Sequence, residues 1–181
     1  MKHANISLVV ALLFCATALL AAPTAAQKNQ VEVIFDHPEK FTDVKDSQFA
    51  SEKGRDGYLG VLKDYLQERA PRYLGEGQML TLTFTDIDMA GDFEPWRGAE
   101  YNDVRIVKDI YPPRMNFSFK LMDAAGAVVK EGQEKLIDMS FQMNASPINN
   151  NDSLRYEKAM IDNWLRNTFP KPKKADTKKK G

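Results

Sequence analysis

Leu80 to Arg97 reads L-T-L-T-F-T-D-I-D-M-A-G-D-F-E-P-W-R. Leu80, Leu82 and Phe84 alternate with Thr81, Thr83 and Thr85. That period of two is the pattern of a β-strand with one face in a core and the other toward solvent or a polar layer. The strand runs directly into Asp86, Asp88, Asp92 and Glu94, with Gly91 among them and Trp96-Arg97 behind them. A core strand that ends in four carboxylates, an indole and a guanidinium is the first place to look for a functional surface.

Upstream, Val31 to Phe35 (V-E-V-I-F) predicts a short strand, and Ile34 on its second face predicts burial on both sides. Asp36 to Lys53 is polar and reads as a loop. Tyr58, Val61, Leu62, Tyr65 and Leu66 make one apolar helical stripe, with Lys63, Asp64, Gln67 and Glu68 opposite. Pro71 stops that helix near Ala70, and Gly75-Glu76-Gly77 ends the element. With Leu80–Phe84 next, a β-α-β unit is expected.

Downstream, Ala90 to Asn102 reads as a loop and Val104 to Ile110 as a third strand, broken by Tyr111-Pro112-Pro113. Met115, Phe117, Phe119 and Leu121 alternate with polar residues in a fourth strand. Asp123-Ala124-Ala125-Gly126 fits a bulged hairpin connection, and Val128 to Ile137 returns as a fifth strand, polar enough for a solvated edge. Ser140 to Asn151 reads as irregular. Asp152 or Ser153 then caps a helix over Leu154 to Phe169, with a stripe of Tyr156, Met160, Ile161, Trp164 and Leu165. The order β-α-β-β-β-β-α predicts an α+β domain over residues 27–170: a mixed, mostly antiparallel sheet of about five strands with two helices on one face.

The chain has 181 residues and no net charge at pH 7, but the charge is unevenly spread. Residues 1–26 have the form of a cleaved signal peptide: Lys2, an apolar run from Ile6 to Leu20, and a small-residue exit ending Thr24-Ala25-Ala26. A membrane anchor is the weaker reading, because a spanning helix needs about 20 apolar residues. Lys171 to Gly181 holds six lysines and one aspartate, and so few apolar residues that it is expected to be disordered. Its plain role is a solubilising tail; its sharper one is an electrostatic tether to anionic lipid or cell-wall polymer. The body between leader and tail carries −6, which argues against nucleic acid as a partner. Cys15, the one cysteine, leaves with the signal, and with it disulfide and thiolate chemistry.

Chemistry at the acidic stretch has three readings. As a calcium loop, Gly91 stands in the right place, but Ala90 and Arg97 occupy two ligand positions, so the motif fails. Asp86 and Asp88, two apart on one strand face, have the spacing of a general acid–base pair, though no substrate is named by it. Or the carboxylates pair with Arg97, Arg105 and Arg114 in a structural network, with Phe93, Pro95 and Trp96 folding the loop back over the sheet. A ligand or partner surface on the same residues is also open, since Trp and Arg are enriched at interaction hot spots. A Ser-His-Asp triad is excluded for want of a G-x-S-x-G elbow, and His37 is the only histidine outside the leader. Gly75-Glu76-Gly77 precedes a strand, not a helix, so it is no phosphate loop.

Taken together, V-E-V-I-F, F-T-D, G-Q-M-L-T-L-T-F-T-D-I-D-M-A-G-D-F-E-P-W-R, D-V-R-I-V-K-D-I-Y-P-P-R and L-R-Y-E-K-A-M-I-D-N-W resemble the bacterial exported family known as domain of unknown function 3016. The resemblance runs from Val31 to Phe169. It implies a Gram-negative exported protein, periplasmic in location, and carries over neither an activity nor catalytic residues. The expectation is therefore a small periplasmic binding or accessory domain without catalysis or cofactor. Its candidate binding residues are Asp86, Asp88, Asp92, Glu94, Trp96, Arg97, Arg105 and Arg114, and its partner is an envelope protein or a cell-wall or lipid component. The alternative is a carboxylate- or metal-dependent hydrolase using Asp86, Asp88, Asp92 and Glu94.

Overall fold

A computed structural model of the protein describes residues 30–144 and 151–169. The signal peptide expected at 1–26 and the lysine-rich tail expected at 171–181 lie outside the described residues. Strand β1 (Gln30–Phe35) leads to helix α1 (Glu52–Arg69), and β2 (Met79–Asp88) follows. Two-residue strands β3 (Asp92–Phe93) and β4 (Arg105–Ile106) precede the long hairpin β5 (Arg114–Met122) and β6 (Val128–Ile137). A single helical turn α2 (Phe141–Asn144) and helix α3 (Arg155–Thr168) complete the order.

The main sheet runs β1-β2-β5-β6. β1 pairs parallel with β2, as a strand–helix–strand crossover requires, and β2–β5 and β5–β6 are antiparallel. Its core face carries Val33, Leu80, Leu82, Phe84, Ile87, Met115, Phe117, Phe119 and Leu121, all buried. Rings stack through the middle: Phe35 on Phe84 (5.6 Å), Phe84 on Phe117 (5.0 Å), Phe117 on Trp164 of α3 (4.8 Å). Trp164 also meets Phe119 and Phe169 edge to face, the geometry that ring quadrupoles favour.

A bulge in β2 decides which side chains reach this core. Strict alternation from Leu80 would send Asp86 and Asp88 inward and Ile87 out. The register against β5 shifts between Phe84 and Asp86, so the extra residue, Thr85, is absorbed. Ile87 then enters the core, and Asp86 and Asp88 pass to the other face, opposite Asn116 and Arg114. The cost of burying two carboxylates is avoided by one unpaired residue.

Several expectations change in detail. The main sheet has four strands, not about five. Val104–Ile110 supplies only β4, which pairs with β3 in a separate two-stranded sheet; β3 lies within the stretch read as loop. Ile34 is exposed, because β1 is an edge strand and the sheet's second face has no helix over it among the described residues. On α1 Leu62 and Leu66 are buried as expected and Tyr58 and Tyr65 pack half-buried against the core, but Leu59 joins them and Val61 faces solvent. On α3 the buried positions are Glu157, Met160, Ile161, Trp164 and Leu165, with Tyr156 only half-buried.

The end signals hold in part. Ser51 caps α1, its Oγ accepting from the Gly54 N–H (3.0 Å). Pro71 ends α1 at Arg69, and a 3₁₀ turn follows over Ala70–Tyr73. Asp152 accepts from the Leu154 N–H (2.9 Å), just ahead of α3, without making a side-chain cap at its first turn. In the β5–β6 connection Asp123 Oδ1 accepts from the Ala125 and Ala127 N–H groups (both 2.9 Å). Gly126 there takes φ 83°, which glycine reaches at little cost, and the expected bulge appears at Leu121/Met122.

Replacing Trp164 by Ala removes the side chain that three phenylalanines pack against. Urea unfolding is expected to show a loss of roughly 3–5 kcal/mol with a cooperative transition retained.

Candidate functional site

The carboxylates do not gather. Each is turned to a different partner around the end of the sheet where β2 finishes, and Arg105 holds that end together. From β4 its guanidinium forks onto Asp43, Nη1 to Oδ2 at 2.9 Å and Nη2 to Oδ1 at 3.0 Å. The same two nitrogens donate to the Gly91 carbonyl (2.9 Å) and the Lys45 carbonyl (3.0 Å). Its plane lies over the buried Phe93 ring, 4.7 Å from the centroid. One side chain thus joins the loop after β1, the turn after β2, and the small β3–β4 sheet.

Asp43 belongs to Phe41-Thr42-Asp43-Val44, which rejoins the sheet beside β2: the Asp43 N–H donates to the Ile87 carbonyl and the Met89 N–H to the Asp43 carbonyl. Phe41 and Val44 are buried there. Gly91 turns the chain at φ 79°, and a Cβ on it would lie 2.7 Å from the Ile106 carbonyl oxygen. The position therefore needs glycine for both conformation and space.

Asp86 accepts from the Thr42 N–H (2.8 Å) and hydroxyl (3.1 Å). Asp88 pairs with Arg114 (3.1 Å). Asp92 accepts from the Phe93 N–H (2.7 Å) and lies 3.9 Å from Lys45 Nζ. Glu94, 0 % exposed, is gripped by Lys108 and Arg97 and accepts from the Tyr111 hydroxyl (3.1 Å). Trp96 is 71 % exposed. Of the expected pairings, Asp88 with Arg114 forms, Arg97 takes Glu94, and Arg105 takes Asp43, which sequence reading left out. Among the described residues no three His, Cys, Asp or Glu side chains stand where they could hold a metal ion. A shallow cleft of about 290 Å³ remains, lined by Asp43, Lys45, Asp88, Asp92, Tyr111 and Arg114.

Electrostatics separate these acids. The Lys108 ammonium, then the Arg97 guanidinium, hold Glu94 down to about 2. Desolvation pushes Asp88 up in spite of Arg114. Glu157 of α3 is also 0 % exposed, and burial pushes it up to about 7. Its Oε1 accepts from the Ala90 N–H (2.7 Å), tying α3 to the turn after β2, while Oε2 has no partner among the described residues. The sequence did carry its signal: Glu157 sits three residues before Met160 and seven before Trp164, on the apolar stripe.

With the fold and this geometry in hand, comparison with protein-family models finds one match, "Protein of unknown function (DUF3016)", over residues 29–167. The chain belongs to this family. No curated protein and no solved structure matches it. The matched segment takes in the whole four-stranded sheet, the β3–β4 insert and nearly all of α3. No helix among the described residues of this family member is long and apolar enough to cross a membrane.

Arg105→Ala leaves buried Asp43 with only the longer Lys45 contact (3.8 Å) and frees the turn at Gly91. Chemical denaturation is expected to show a loss of roughly 3–5 kcal/mol, with the β3–β4 amides losing hydrogen-exchange protection first. A second expectation concerns pH. A carboxyl raised on folding binds its proton more tightly in the native state, so its contribution to stability is present below the unfolded value and lost as pH rises. Glu157 is expected to cost up to roughly 3 kcal/mol across pH 4.5 to 7, and Glu157→Gln should flatten that slope in melts taken over the same range. Glu94 stays ionised in the native state throughout that range; its contribution is full above the unfolded value of 4.5 and is lost as pH falls from there to about 2.

Proposed function

We propose that the protein is an exported, periplasmic binding or accessory domain that recognises an envelope component through the loop-bearing end of its sheet. The observation that carries this reading is the contrast between fixed acids and free apolar side chains. Asp43, Asp86, Asp88 and Glu94 are each committed to partners inside the fold. Trp96 (71 % exposed), Phe49 (74 %), Ile110 and Val104 are left outward on loops of the same region. The Gln48 N–H donates to the Asn102 carbonyl (2.7 Å), so the Phe49 loop is fastened to the loop that follows Trp96. A rigid frame that presents an indole and a phenyl ring lowers the entropy cost of binding and supplies the anchor types that dominate interfaces. The leader-like residues 1–26 support export, and the lysine tail would add attraction to an anionic surface.

A second reading rests on Asp88: a half-buried carboxyl with a raised pKa beside a cleft is suited to proton transfer in a hydrolase. One experiment decides between them. Trp96→Ser and Phe49→Ser should melt like the parent protein, since both side chains are exposed. Each should lose the partner that the parent captures by in-cell crosslinking, and calcium, magnesium, zinc or EDTA should not move the parent's melt. Capture unchanged by both substitutions would sink the binding surface, and a melt raised by several degrees with one cation would favour the metal-dependent hydrolase.

A further inference from the structure

The main sheet ends at β6, and among the described residues no strand pairs with its outer edge. The opposite edge is different: α1 lies along β1, and Gln67 Nε2 donates to the Val31 carbonyl (3.3 Å). At the end of β6 the Asp138 N–H donates to the Pro113 carbonyl of the neighbouring chain segment. Antiparallel ladders alternate, so Lys130, Gly132, Glu134 and Leu136 direct their backbone groups to β5. Glu131, Gln133, Lys135 and Ile137 direct theirs outward.

Edge strands commonly carry charges that discourage further pairing. In β6 the charges are ordered in a way that permits one partner. Val128 to Ile137 reads V-V-K-E-G-Q-E-K-L-I. From either end the order is two apolar residues, a lysine, a glutamate, then the centre. Paired antiparallel about the centre of that order, a copy would set Lys130 opposite Lys135 and Glu131 opposite Glu134; shifted by half a residue, about Gln133, it sets Glu131 opposite Lys135 twice.

We propose that two copies of this protein pair through β6, antiparallel, about a two-fold axis at Gln133. In that register Gln133 stands opposite Gln133, Glu131 of each copy opposite Lys135 of the other, and Val129 opposite Ile137. All five residues lie on the face away from the helices. Val129 and Ile137 are 54 % and 50 % exposed in the single chain, and each gains an apolar neighbour. Glu131 has only a loose contact with Lys120 (3.8 Å) to give up. The Lys130 side chain is turned away from the seam, donating to the Thr168 carbonyl (2.9 Å) at the end of α3. The sheet then continues through both copies, with the helices of both on one side and the Trp96 loops at the far corners.

Sedimentation equilibrium tests this. The purified protein is expected to pass from monomer to dimer as its concentration rises. Glu131→Lys and Lys135→Glu each set like charges opposite one another and should abolish the dimer. The double substitution restores the pairs with signs exchanged and should restore it. Both positions are solvent-exposed, so far-UV circular dichroism of all three variants should be unchanged. In a Cys15→Ser background, Gln133→Cys should give a disulfide-linked dimer on mild oxidation, because the Cα atoms of such a pair lie about 5.5 Å apart. Glu131→Cys, with its copy several residues away along the seam, should not. A monomer mass up to about 1 mM protein, a dimer indifferent to the single charge reversals, or a double variant that stays monomeric would each overturn the proposal.

Discussion

The Arg105–Asp43 fork is the constraint on which one end of this molecule depends. Neither partner belongs to the main sheet. One sits in the loop after β1, the other on a two-residue strand that could not stand alone. Held together, they fix where the chain re-enters the sheet beside β2, how it turns at Gly91, and where Phe93 is buried. Lysine could supply the charge but not the four donated bonds from two nitrogens, nor the flat surface over the phenyl ring. The carboxylates that follow β2 are then distributed around this frame, each to its own cation or amide.

Two acids in that frame are held in opposite ways. Glu94 is buried among donors, and its charge is stabilised by an ammonium and a guanidinium. Glu157 is buried on the Ala90 amide with no ion pair among the described residues, and burial raises its pKa to about 7. Only geometry distinguishes them: Lys108, Arg97 and Tyr111 converge on the first, and the second, on the buried face of α3, meets the Ala90 amide. A carboxylate count along the sequence treats the two as equals.

Period two over Leu80–Phe84 and Met115–Leu121 was enough to identify the two central strands, because each buries one face against helices and leaves the other polar. The hairpin was legible for the same reason, with Asp123 and Gly126 marking its turn. Strands β3 and β4 were not, since two residues carry no period, and their pairing comes from Arg105 and Gly91 rather than from local propensity. The bulge at Thr85 was visible only as a conflict: an alternation that would have buried two aspartates. Of the candidate site, the pairing of Asp88 with Arg114 was within reach of sequence reasoning. Asp43, Lys108 and Glu157 were missed, because nothing local marks which distant charge a buried carboxylate will meet.

The sheet's connectivity also sets an order of assembly. β5 and β6 are joined by a five-residue connection in which Asp123 accepts three hydrogen bonds, so they can pair early at small entropic cost. β2 must find β5 across the whole β3–β4 insert, and β1 must find β2 after α1 has been made. Until that last parallel pairing forms, the flank of β2 and the apolar side of α1 stand open to water. A chain that emerges N-terminus first releases β1 before any strand it can join. Its first element is therefore among the last to be secured, and a chaperone that shields Val31–Phe35 would act on the step where the chain is most exposed.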